Sequence, residues 1–424
     1  MLIGLFGKNI DNSCIMRILL LTQWFDPEPT FKGLLFAKAL QDKGHDVEVL
    51  TGFPNYPGGS VYPGYSIKWI KIEIMKGIKV TRVPLYPSHN KSAIKRIINY
   101  LSFSITSILY GIFWLKKPDV IYVYHPPITV GISGAIIGMF RRVPFVCDIQ
   151  DLWPDTLSVT GMLTNKKILN IVSIACNWVY KRSAHIVVLS PGFKDRLTVR
   201  GVDESKVSVI YNWCDEISLT KGISKNDIKS LPRGFNVVFA GNMGPAQALE
   251  TAIKAGEIIA KEKRNINFVF VGGGLQVDSL KTLAIEKGLS NIYFIPRMPI
   301  DEVGSILKQA DALLVHLKKD PLFEITIPSK TQAYLAQGKP LIMAVGGNAS
   351  DLVISARAGL SIEPESPEKL AEAAIALFRL SQDELEKIGN NGLSFYKKEL
   401  SLDIGVEKFL EVFKLVEIQR NKNA

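Results

Sequence analysis

Short apolar runs alternate with amphipathic stretches of helical period along most of this 424-residue chain. The pattern begins with an apolar run over 17–22, a loop holding Pro27 and Pro29, a helical stretch over 32–43 and a second apolar run over 47–50. Helices of about 10 to 15 residues between buried strands are typical of βαβ units and a parallel sheet. The remaining strands are predicted at 78–83, 119–124, 144–148, 185–189, 207–210, 236–240, 267–271, 291–295, 311–315 and 340–344. In the second half of the chain, helices are predicted at 246–262, 276–287, 301–309 and 330–337.

The stretch 215–234 interrupts this alternation with Lys, Ser, Asn, Gly and Pro, which indicates a linker. A chain of this length holds two or three domains at about 100 to 200 residues each. We therefore predict an α/β protein of two Rossmann-like, doubly wound domains that face each other across a cleft. The predicted division is an N-terminal extension over 1–15, a first domain over 16–214, the linker over 215–234, a second domain over 235–400 and a C-terminal helical segment over 401–424 that packs back on the first domain. The first 15 residues lack the features of a signal peptide, and Met16 is an alternative initiator to Met1.

The formal net charge of +11 is concentrated in the first half of the chain. Residues 1–210 contain 25 Lys and Arg against 14 Asp and Glu, whereas residues 211–424 contain 26 of each kind. An excess of this kind predicts an anionic partner, which can be nucleic acid, a membrane surface or a phosphorylated substrate. Nucleic acid is the least favoured of the three, because the cations flank apolar stretches and no recognition motif accompanies them.

The four cysteines are isolated in the sequence and form no CxxC pair, which predicts free thiols in a reducing, cytoplasmic setting. The five histidines show no metal-ligand spacing, and the chain contains no Asp-x-Asp pair. We therefore expect no metal ion and no other cofactor.

Ligands of open α/β sheets bind beyond the carboxyl ends of the strands, where helix N-termini converge. In the second half of the chain, two glycine-rich turns, 241–245 and 272–274, each follow a strand and precede a helix. Such turns let a diphosphate approach backbone N–H groups, although either turn alone is also typical of a loop without a ligand. Arg297 and the Ser329-Lys330 start of a later helix add cations. Because the full GxGxxG spacing is missing, a mononucleotide diphosphate is favoured over a dinucleotide.

A series of motifs extends over nearly the whole chain. They are Arg17–Pro29, Gly44–Val47, Thr51–Gly59, Asp148–Asp155, Leu189–Phe193, Tyr211–Asn212, Phe239–Gly244, Val271–Gly274 and Ile327–Pro340. In this order they resemble the two-domain GT-B glycosyltransferases of the large bacterial family 4, whose members use nucleotide-diphosphate sugars. The combination of PNYPGG, DLWPD and IPSK is similar to the subgroup that builds O-antigen repeat units, the N-acetyl-L-fucosaminyltransferases in particular. The resemblance implies a metal-independent transferase that retains the anomeric configuration.

The resemblance also implies that the second domain holds the donor. Lys330 would neutralise the leaving diphosphate, and Glu324 would hydrogen-bond sugar hydroxyls. The family's Arg and Lys after the first strand are replaced here by Asn242 and Gln247, and Ala333 replaces the second Glu of the family's Glu-x7-Glu motif. The candidate donor-binding residues are Gly241, Asn242, Gly244, Gln247, Gly273, Gly274, Arg297, His316, Ser329 and Thr331.

Polar side chains at the ends of first-domain strands are candidates for the acceptor site and for proton transfer. Asp151 and His125 are the candidate bases. A helix cap for Asp151 and a satisfied loop histidine for His125 are the alternatives. The resemblance places Gln150 where the family often has a His. The candidate acceptor-binding residues are Gly33, Asn55, Asp148, Gln150, Trp153 and Asp155.

Residues 74–118 contain eight cations and no acid, and 19 uncharged residues, Ile97–Leu115, separate Arg96 from Lys116. That length approaches the about 20 residues of a transmembrane helix. A span would place strands of one sheet on opposite sides of a bilayer, so an interfacial helix with basic ends is favoured. An apolar helix packed within the domain or in a dimer interface is the alternative. The predicted membrane contacts are Lys95, Arg96, Trp114, Lys116 and Lys117.

Together, the charge, the motifs and the resemblance predict a peripheral enzyme on the cytoplasmic face of the bacterial inner membrane. Its expected reaction moves N-acetyl-L-fucosamine or a related HexNAc from a UDP-sugar to polyprenyl-diphosphate-linked GlcNAc or a similar lipid-linked acceptor. A UDP-GlcNAc 2-epimerase-like enzyme and a nucleotide-sugar-binding scaffold without turnover are the alternatives.

Overall fold

The computed structural model describes residues 15–30, 32–88, 93–125, 127–159, 162–220 and 230–422. The chain forms two compact units. The first comprises Met1–Asp151, Ile171–Ile186 and Leu410–Ala424, and the second comprises Leu152–Asn170 and Val187–Phe409. The predicted N-terminal extension lies outside the described residues except for Ile15, and the predicted linker is described only at 215–220 and 230–234. The predicted domain boundaries stay a prediction.

The first sheet has eight strands. They are β1 (Arg17–Leu21), β2 (Asp46–Gly52), β3 (Lys71–Met75), β4 (Ile78–Val83), β5 (Val120–His125), β6 (Phe145–Ile149), β7 (His185–Val188) and β8 (Val207–Val209). Their order in the sheet is β3-β4-β2-β1-β5-β6-β7-β8. Strand β1 pairs in parallel with β2 and β5, and β5 pairs in parallel with β6. The central strand β5 is buried along its whole length, as expected for a parallel strand covered on both faces.

The second sheet has six strands. They are β9 (Phe235–Asn242), β10 (Ile266–Gly273), β11 (Ile292–Pro296), β12 (Ala312–His316), β13 (Leu341–Ala344) and β14 (Gly359–Ser361). Their order is β11-β10-β9-β12-β13-β14, and every pair is parallel. The carboxyl ends of these strands therefore meet at one edge, which collects the segments that follow each strand.

Helices connect the strands in both sheets. In the first part of the chain they are α1 (Leu34–Asp42), α2 (Ala93–Phe113), α3 (Ile128–Arg141), α4 (Asp155–Val159), α5 (Lys166–Arg182), α6 (Pro191–Val199) and α7 (Glu216–Thr220). In the remainder they are α8 (Glu250–Lys261), α9 (Val277–Glu286), α10 (Ile300–Gln309), α11 (Pro321–Glu324), α12 (Ser329–Ala336), α13 (Asn348–Ser355), α14 (Pro367–Phe378), α15 (Gln382–Phe395) and α16 (Leu402–Lys422).

The predicted fold class is confirmed, and all twelve predicted strands are present with bounds within two residues of those expected. The sequence patterns missed β3 and β14. Strand β3 is an antiparallel edge strand whose Ile72 and Ile74 are exposed, so its sequence does not show the buried apolar run of a parallel strand. Strand β14 has only three residues. Helix α8 begins four residues later than predicted, because Pro245–Gln247 forms a 3-10 turn first.

Candidate active site

Lys330 lies over the first glycine-rich turn of the second unit. Gly241 has a φ of 137°, in the region that favours glycine. A Cβ atom at Gly241 would lie 2.7 Å from Cε and 3.0 Å from Nζ of Lys330. The Lys330 ammonium also lies 4.8 Å from the ring centroid of Phe239. The structure therefore brings together a cation and a glycine turn from two distant segments of the sequence.

Helix α12 fixes the position of this lysine. The hydroxyl of Tyr334 accepts a hydrogen bond from the Ala240 backbone N–H at 2.7 Å, which ties α12 to the end of β9. Residues four apart share one face of a helix, so this bond also holds Lys330 toward β9. Burial lowers the pKa of Lys330 to about 8, because the ammonium has lost part of its hydration. A bound anion would compensate for that loss.

The second glycine-rich turn packs directly on the first. A Cβ atom at Gly272 would lie 2.1 Å from the carbonyl oxygen of Gly241, and one at Gly274 would lie 2.4 Å from the carbonyl oxygen of Met243. Both glycines have positive φ, 135° and 149°. The Met243 N–H donates to the carbonyl of Gly273 at 2.8 Å. Any side chain at these glycines would push the two turns apart.

Gln247 and His316 shape the loop after β9. The Gly244 N–H donates to Oε1 of Gln247 at 3.0 Å, and Nδ1 of His316 lies 2.7 Å from the Gln247 carbonyl oxygen. Nε2 of His316 accepts from the Glu365 N–H at 3.3 Å, so Nδ1 carries the proton and donates it to that carbonyl. Burial lowers the pKa of His316 and keeps it neutral. Gln247 and His316 therefore support the backbone of the turn, whereas Asn242 is exposed beside it.

The other donor candidates lie at the same edge of the sheet. Arg297 is exposed, and its Cβ would lie 4.0 Å from a Cβ at Gly273. Thr331 is buried, and its Oγ1 has no hydrogen-bond partner in the described part of the chain, whereas Ser329 is exposed. The side chain of Glu324 is exposed. Its backbone packs on the turn after β13, where a Cβ at Gly347 would lie 2.0 Å from the Glu324 carbonyl oxygen.

In the first unit, Asp148 is the centre of a buried network. The Lys32 ammonium lies 2.5 Å from Oδ2 of Asp148, and both side chains are 0% exposed. Tyr122 donates to the same oxygen at 2.5 Å, and Nε2 of Gln150 donates to Oδ1 at 2.6 Å. Burial lowers the pKa of Lys32, and the charge of Asp148 opposes that shift. Asp148 therefore joins the end of β6 to the segment before α1, and Gln150 donates to it; the sequence suggested both residues for the acceptor.

Glu28 organises the loop that contains Asn55. The buried carboxylate of Glu28 accepts the backbone N–H groups of Asn55 and Tyr56 at 2.7 Å each and that of Phe25 at 3.1 Å. Burial raises the pKa of Glu28 to about 7 in spite of these hydrogen bonds. The Asn55 amide donates to the Phe53 carbonyl at 3.0 Å, so this side chain also shapes the loop.

Gly33 makes room for a helix cap. The carboxylate of Asp26 accepts the Leu34 N–H at 2.6 Å at the start of α1. A Cβ atom at Gly33 would lie 2.2 Å from Oδ2 of Asp26. This close contact is sufficient to explain a glycine at position 33, without a role in binding the acceptor.

Asp151 differs from its neighbour Asp148, since no ion pair connects it to any described residue. Its side chain is half-buried, and burial raises its pKa to about 6. Burial also raises the pKa of Tyr56 and of Tyr124, and the nearby charge of Asp151 adds to both shifts. Asp151 is therefore a half-buried carboxylate whose charge acts on two tyrosine hydroxyls, with a pKa suited to a general base near neutral pH.

Asp155 and Trp153, which belong to the second unit, are tied to the end of α6. Asp155 forms ion pairs with Arg200 and with Arg196, the latter at 3.0 Å. Arg200 also donates to the Trp153 carbonyl at 3.1 Å. These contacts give Asp155 a structural role that its position at the start of α4 had left open.

His125 is completely buried. Neither ring nitrogen has a hydrogen-bond partner among the described residues, and burial lowers its pKa to about 4. The imidazole is therefore neutral at physiological pH. Its ring centroid lies 6.3 Å from that of Tyr180.

Sequence reasoning missed Lys32 and Glu28. Both lie between β1 and α1, close to the carboxyl edge of the first sheet, where the acceptor site was expected. Charged residues in a short loop between two buried elements were the available signal. Their burial depends on partners as far away as Asp148, which no local pattern reveals.

The two units carry different functional groups. The second unit offers a partly desolvated ammonium next to two closely packed glycine turns, which suits a diphosphate. The first unit offers Asp151, a carboxylate whose pKa is raised by burial. The described residues include no group of three or more His, Cys, Asp or Glu side chains that could hold a metal ion.

Solved structures share the architecture of this chain. The structure of HepE from Anabaena in complex with UDP and glucose matches with a TM-score of 0.67, over 94% of this chain and 99% of that one, at 16% sequence identity. At this identity the likeness defines the fold, which is that of the GT-B glycosyltransferases.

The family follows from the sequence matches. Residues 34–213 match the Glycosyl transferase 4-like domain, and residues 223–395 match Glycosyl transferases group 1. Only residues 214–222 separate the two matches, and the chain therefore belongs to the group 1 glycosyltransferases with a 4-like N-terminal domain. The prediction of a glycosyltransferase is confirmed, and the epimerase and scaffold alternatives are not favoured.

Two relatives cover most of the chain. WcaI of Escherichia coli, named for glycosyl transfer in colanic acid biosynthesis, is 27% identical over 385 residues, which are 84% of this chain and 90% of that protein. WbjE of Pseudomonas aeruginosa, named as a glycosyltransferase, is 26% identical over 302 residues, which are 69% of this chain and 74% of that protein.

Proposed function

We propose that this glycosyltransferase moves a HexNAc, N-acetyl-L-fucosamine or a close relative, from UDP to a polyprenyl-diphosphate-linked saccharide during assembly of a cell-surface polysaccharide. The observation that carries the donor half is the contact of Lys330 with Gly241, beside the second glycine turn. The name of WcaI and the UDP bound to HepE support the same reading.

Donor cleavage requires charge stabilisation at the diphosphate. The bond between C1 of the sugar and the β-phosphate oxygen breaks, and UDP leaves with the electron pair. The Lys330 ammonium and the amino end of α12 neutralise the charge that develops on that oxygen. The glycine turns let the diphosphate come close to the backbone beside Lys330, and the reaction needs no metal in this proposal.

Acceptor activation requires a group that takes a proton. The acceptor hydroxyl forms the new bond to C1, and its proton goes to the carboxylate of Asp151. The raised pKa of Asp151 favours this transfer, because a carboxylate of pKa about 6 is a better base than an ordinary one and is still ionised at neutral pH. Asp148 is less suited, since three donors already occupy its oxygens.

Helix α2 supports a location on the membrane surface. The segment Ile94–Phe113 is long and apolar enough to cross a bilayer, but α2 connects β4 and β5, which belong to one sheet. We therefore propose that it lies in the interface on the cytoplasmic side. Large apolar side chains are exposed along it and just beyond its end, at Ile94 (71%), Ile105 (59%), Phe113 (66%) and Trp114 (55%).

The basic residues at both ends of α2 provide a test of this location. Changing Lys95, Lys116 and Lys117 to glutamine should weaken binding to vesicles that contain anionic lipid by on the order of 100-fold, at about 1 kcal/mol per cation. Co-sedimentation with the vesicles measures the change. The control removes three exposed lysines of the second unit, Lys254, Lys308 and Lys387, and should bind as the wild type does. An equal loss of vesicle binding in both triple variants would contradict the proposal that α2 contacts the membrane.

The reaction is tested by incubating the full chain with a panel of UDP-HexNAc donors, with and without polyprenyl-diphosphate-GlcNAc. We expect UDP release and a disaccharide product only when donor and lipid acceptor are both present. Mass spectrometry identifies the product, and the Lys330→Ala variant provides the background. UDP release that is independent of the lipid acceptor would refute the proposal, as would conversion of the UDP-sugar into its epimer.

A further inference from the structure

Three aromatic side chains pack together in the first unit. Trp24 follows β1, Tyr56 follows β2, and Tyr100 lies on α2. The rings of Trp24 and Tyr56 stack with centroids 4.6 Å apart, and the ring of Tyr100 meets that of Trp24 edge-on at 6.5 Å. All three side chains are half-exposed, and the charge of Asp151 acts on the hydroxyls of both tyrosines.

Hydrogen bonds hold the backbone under these rings in place. Glu28 accepts the N–H of Tyr56, and Asn99, next to Tyr100, donates both to Oδ1 of Asn55 at 3.2 Å and to the Tyr86 carbonyl at 2.7 Å. Asn99 and Asn55 are both buried. Rings fixed in this way, with their faces still partly open, are arranged to receive a ligand with an apolar surface and polar edges. The faces of a pyranose ring, lined by C–H groups, have that character.

Arg96 adds a cation to the same group. Its side chain is half-buried, and its Nε is buried with no hydrogen-bond partner among the described residues. Arg96 and Tyr100 are four residues apart on α2 and therefore share one face of the helix, and the positive charge of Arg96 acts on the Tyr100 hydroxyl. Lys95, the preceding residue, is exposed instead. Arg96, which the sequence suggested for the membrane surface, therefore lies on the α2 face of Tyr100, whereas Lys95 is five residues from Tyr100 and on a different face.

We propose that Trp24, Tyr56, Tyr100 and Arg96 form the binding site for the phosphate-linked sugar of the acceptor. The pyranose ring packs on the aromatic faces, its anomeric phosphate binds Arg96, and a ring hydroxyl reaches Asp151. This inference rests on the proposed function, since it names the residues that recognise the acceptor of that reaction. It requires a saccharide with a phosphate at its reducing end and predicts that a neutral glycoside binds poorly.

Binding is tested with a water-soluble probe, a short-chain alkyl diphosphate of GlcNAc, by calorimetry on the full chain without vesicles. Trp24→Leu should raise the Kd of the probe about tenfold, and Trp24→Phe, which keeps a ring, should change it much less. Arg96→Gln should raise the Kd about tenfold or more for this probe and leave that of a neutral GlcNAc glycoside unchanged. UDP binding, measured on the same preparations, should equal that of the wild type and shows that each variant is folded.

Lys95→Gln is the matched control for Arg96→Gln. Both variants lose one cation from the same end of α2, so a general attraction of the phosphate to basic surface would weaken binding equally in both. We expect the effect only at Arg96. An unchanged Kd in Trp24→Leu, or equal losses at Lys95 and Arg96, would overturn the inference. If the wild type binds the probe through these residues but transfers no sugar from any UDP-HexNAc, the proposed function fails while the binding site stands.

Discussion

Replacing Lys330 with alanine should lower kcat by about 10² to 10³-fold, the loss typical when one preorganised charge-stabilising group is removed from an active site. The ammonium lies against Gly241, where the leaving diphosphate of the proposed reaction would approach the backbone. UDP affinity should fall as the pH rises through about 8, because the free protein then loses the proton of Lys330 and with it the positive charge. Steady-state kinetics and calorimetry between pH 6.5 and 9 measure both effects.

A substitution at Gly241 tests whether the position of the Lys330 ammonium matters as well as its charge. Gly241→Ala keeps Lys330 but places a methyl group 2.7 Å from its Cε, so it should also reduce turnover. Gly288→Ala is the control for backbone strain, because Gly288 also has positive φ and has open space around its Cβ position. If Lys330→Ala keeps near wild-type turnover, the assignment of the leaving-group cation is wrong.

Replacing Asp151 with asparagine should lower kcat by about 10² to 10⁴-fold, the range that general base catalysis contributes. In the wild type, the rate should increase with pH through about 6, because the base acts in its ionised form and that form is populated above its pKa. The variant should lose this limb of the pH profile, since asparagine does not titrate. A pH–rate profile of kcat/KM from pH 5 to 8 records both outcomes.

Asp155→Asn is the control for this change. Asp155 is paired with Arg196 and Arg200, so the substitution should lower thermal stability while leaving the acidic limb of the profile in place. If Asp151→Asn retains both its rate and the acidic limb, the acceptor proton goes elsewhere, for instance to the leaving diphosphate.

The strands and the donor edge were predictable because their signals are local. Apolar runs mark the buried parallel strands, and the glycine turns 241–245 and 272–274 each follow such a run directly. The Ser329-Lys330 motif marks a helix start in the same way. The contact between Lys330 and Gly241 follows once both segments are placed at the carboxyl edge of one sheet.

The division of roles among the three carboxylates at and after the end of β6 was not predictable from the sequence. Asp148, Asp151 and Asp155 are equivalent in local pattern, and each follows the same apolar run. Their partners decide what they do: Lys32 is 116 residues away from Asp148, and Arg200 is 45 residues away from Asp155. Asp151 is distinguished by having no such ion-pair partner among the described residues. Pairings over such distances depend on the tertiary fold.

The position of α2 in the chain has a practical consequence for handling the enzyme. The helix is not an appended anchor, because it connects β4, near one edge of the first sheet, to β5, which pairs with β1 in its interior. A truncation that removes it would cut the chain between two strands of one sheet. Preparations with a less apolar surface therefore require polar substitutions on the exposed side of α2, with Phe103 and Tyr110 left in the core.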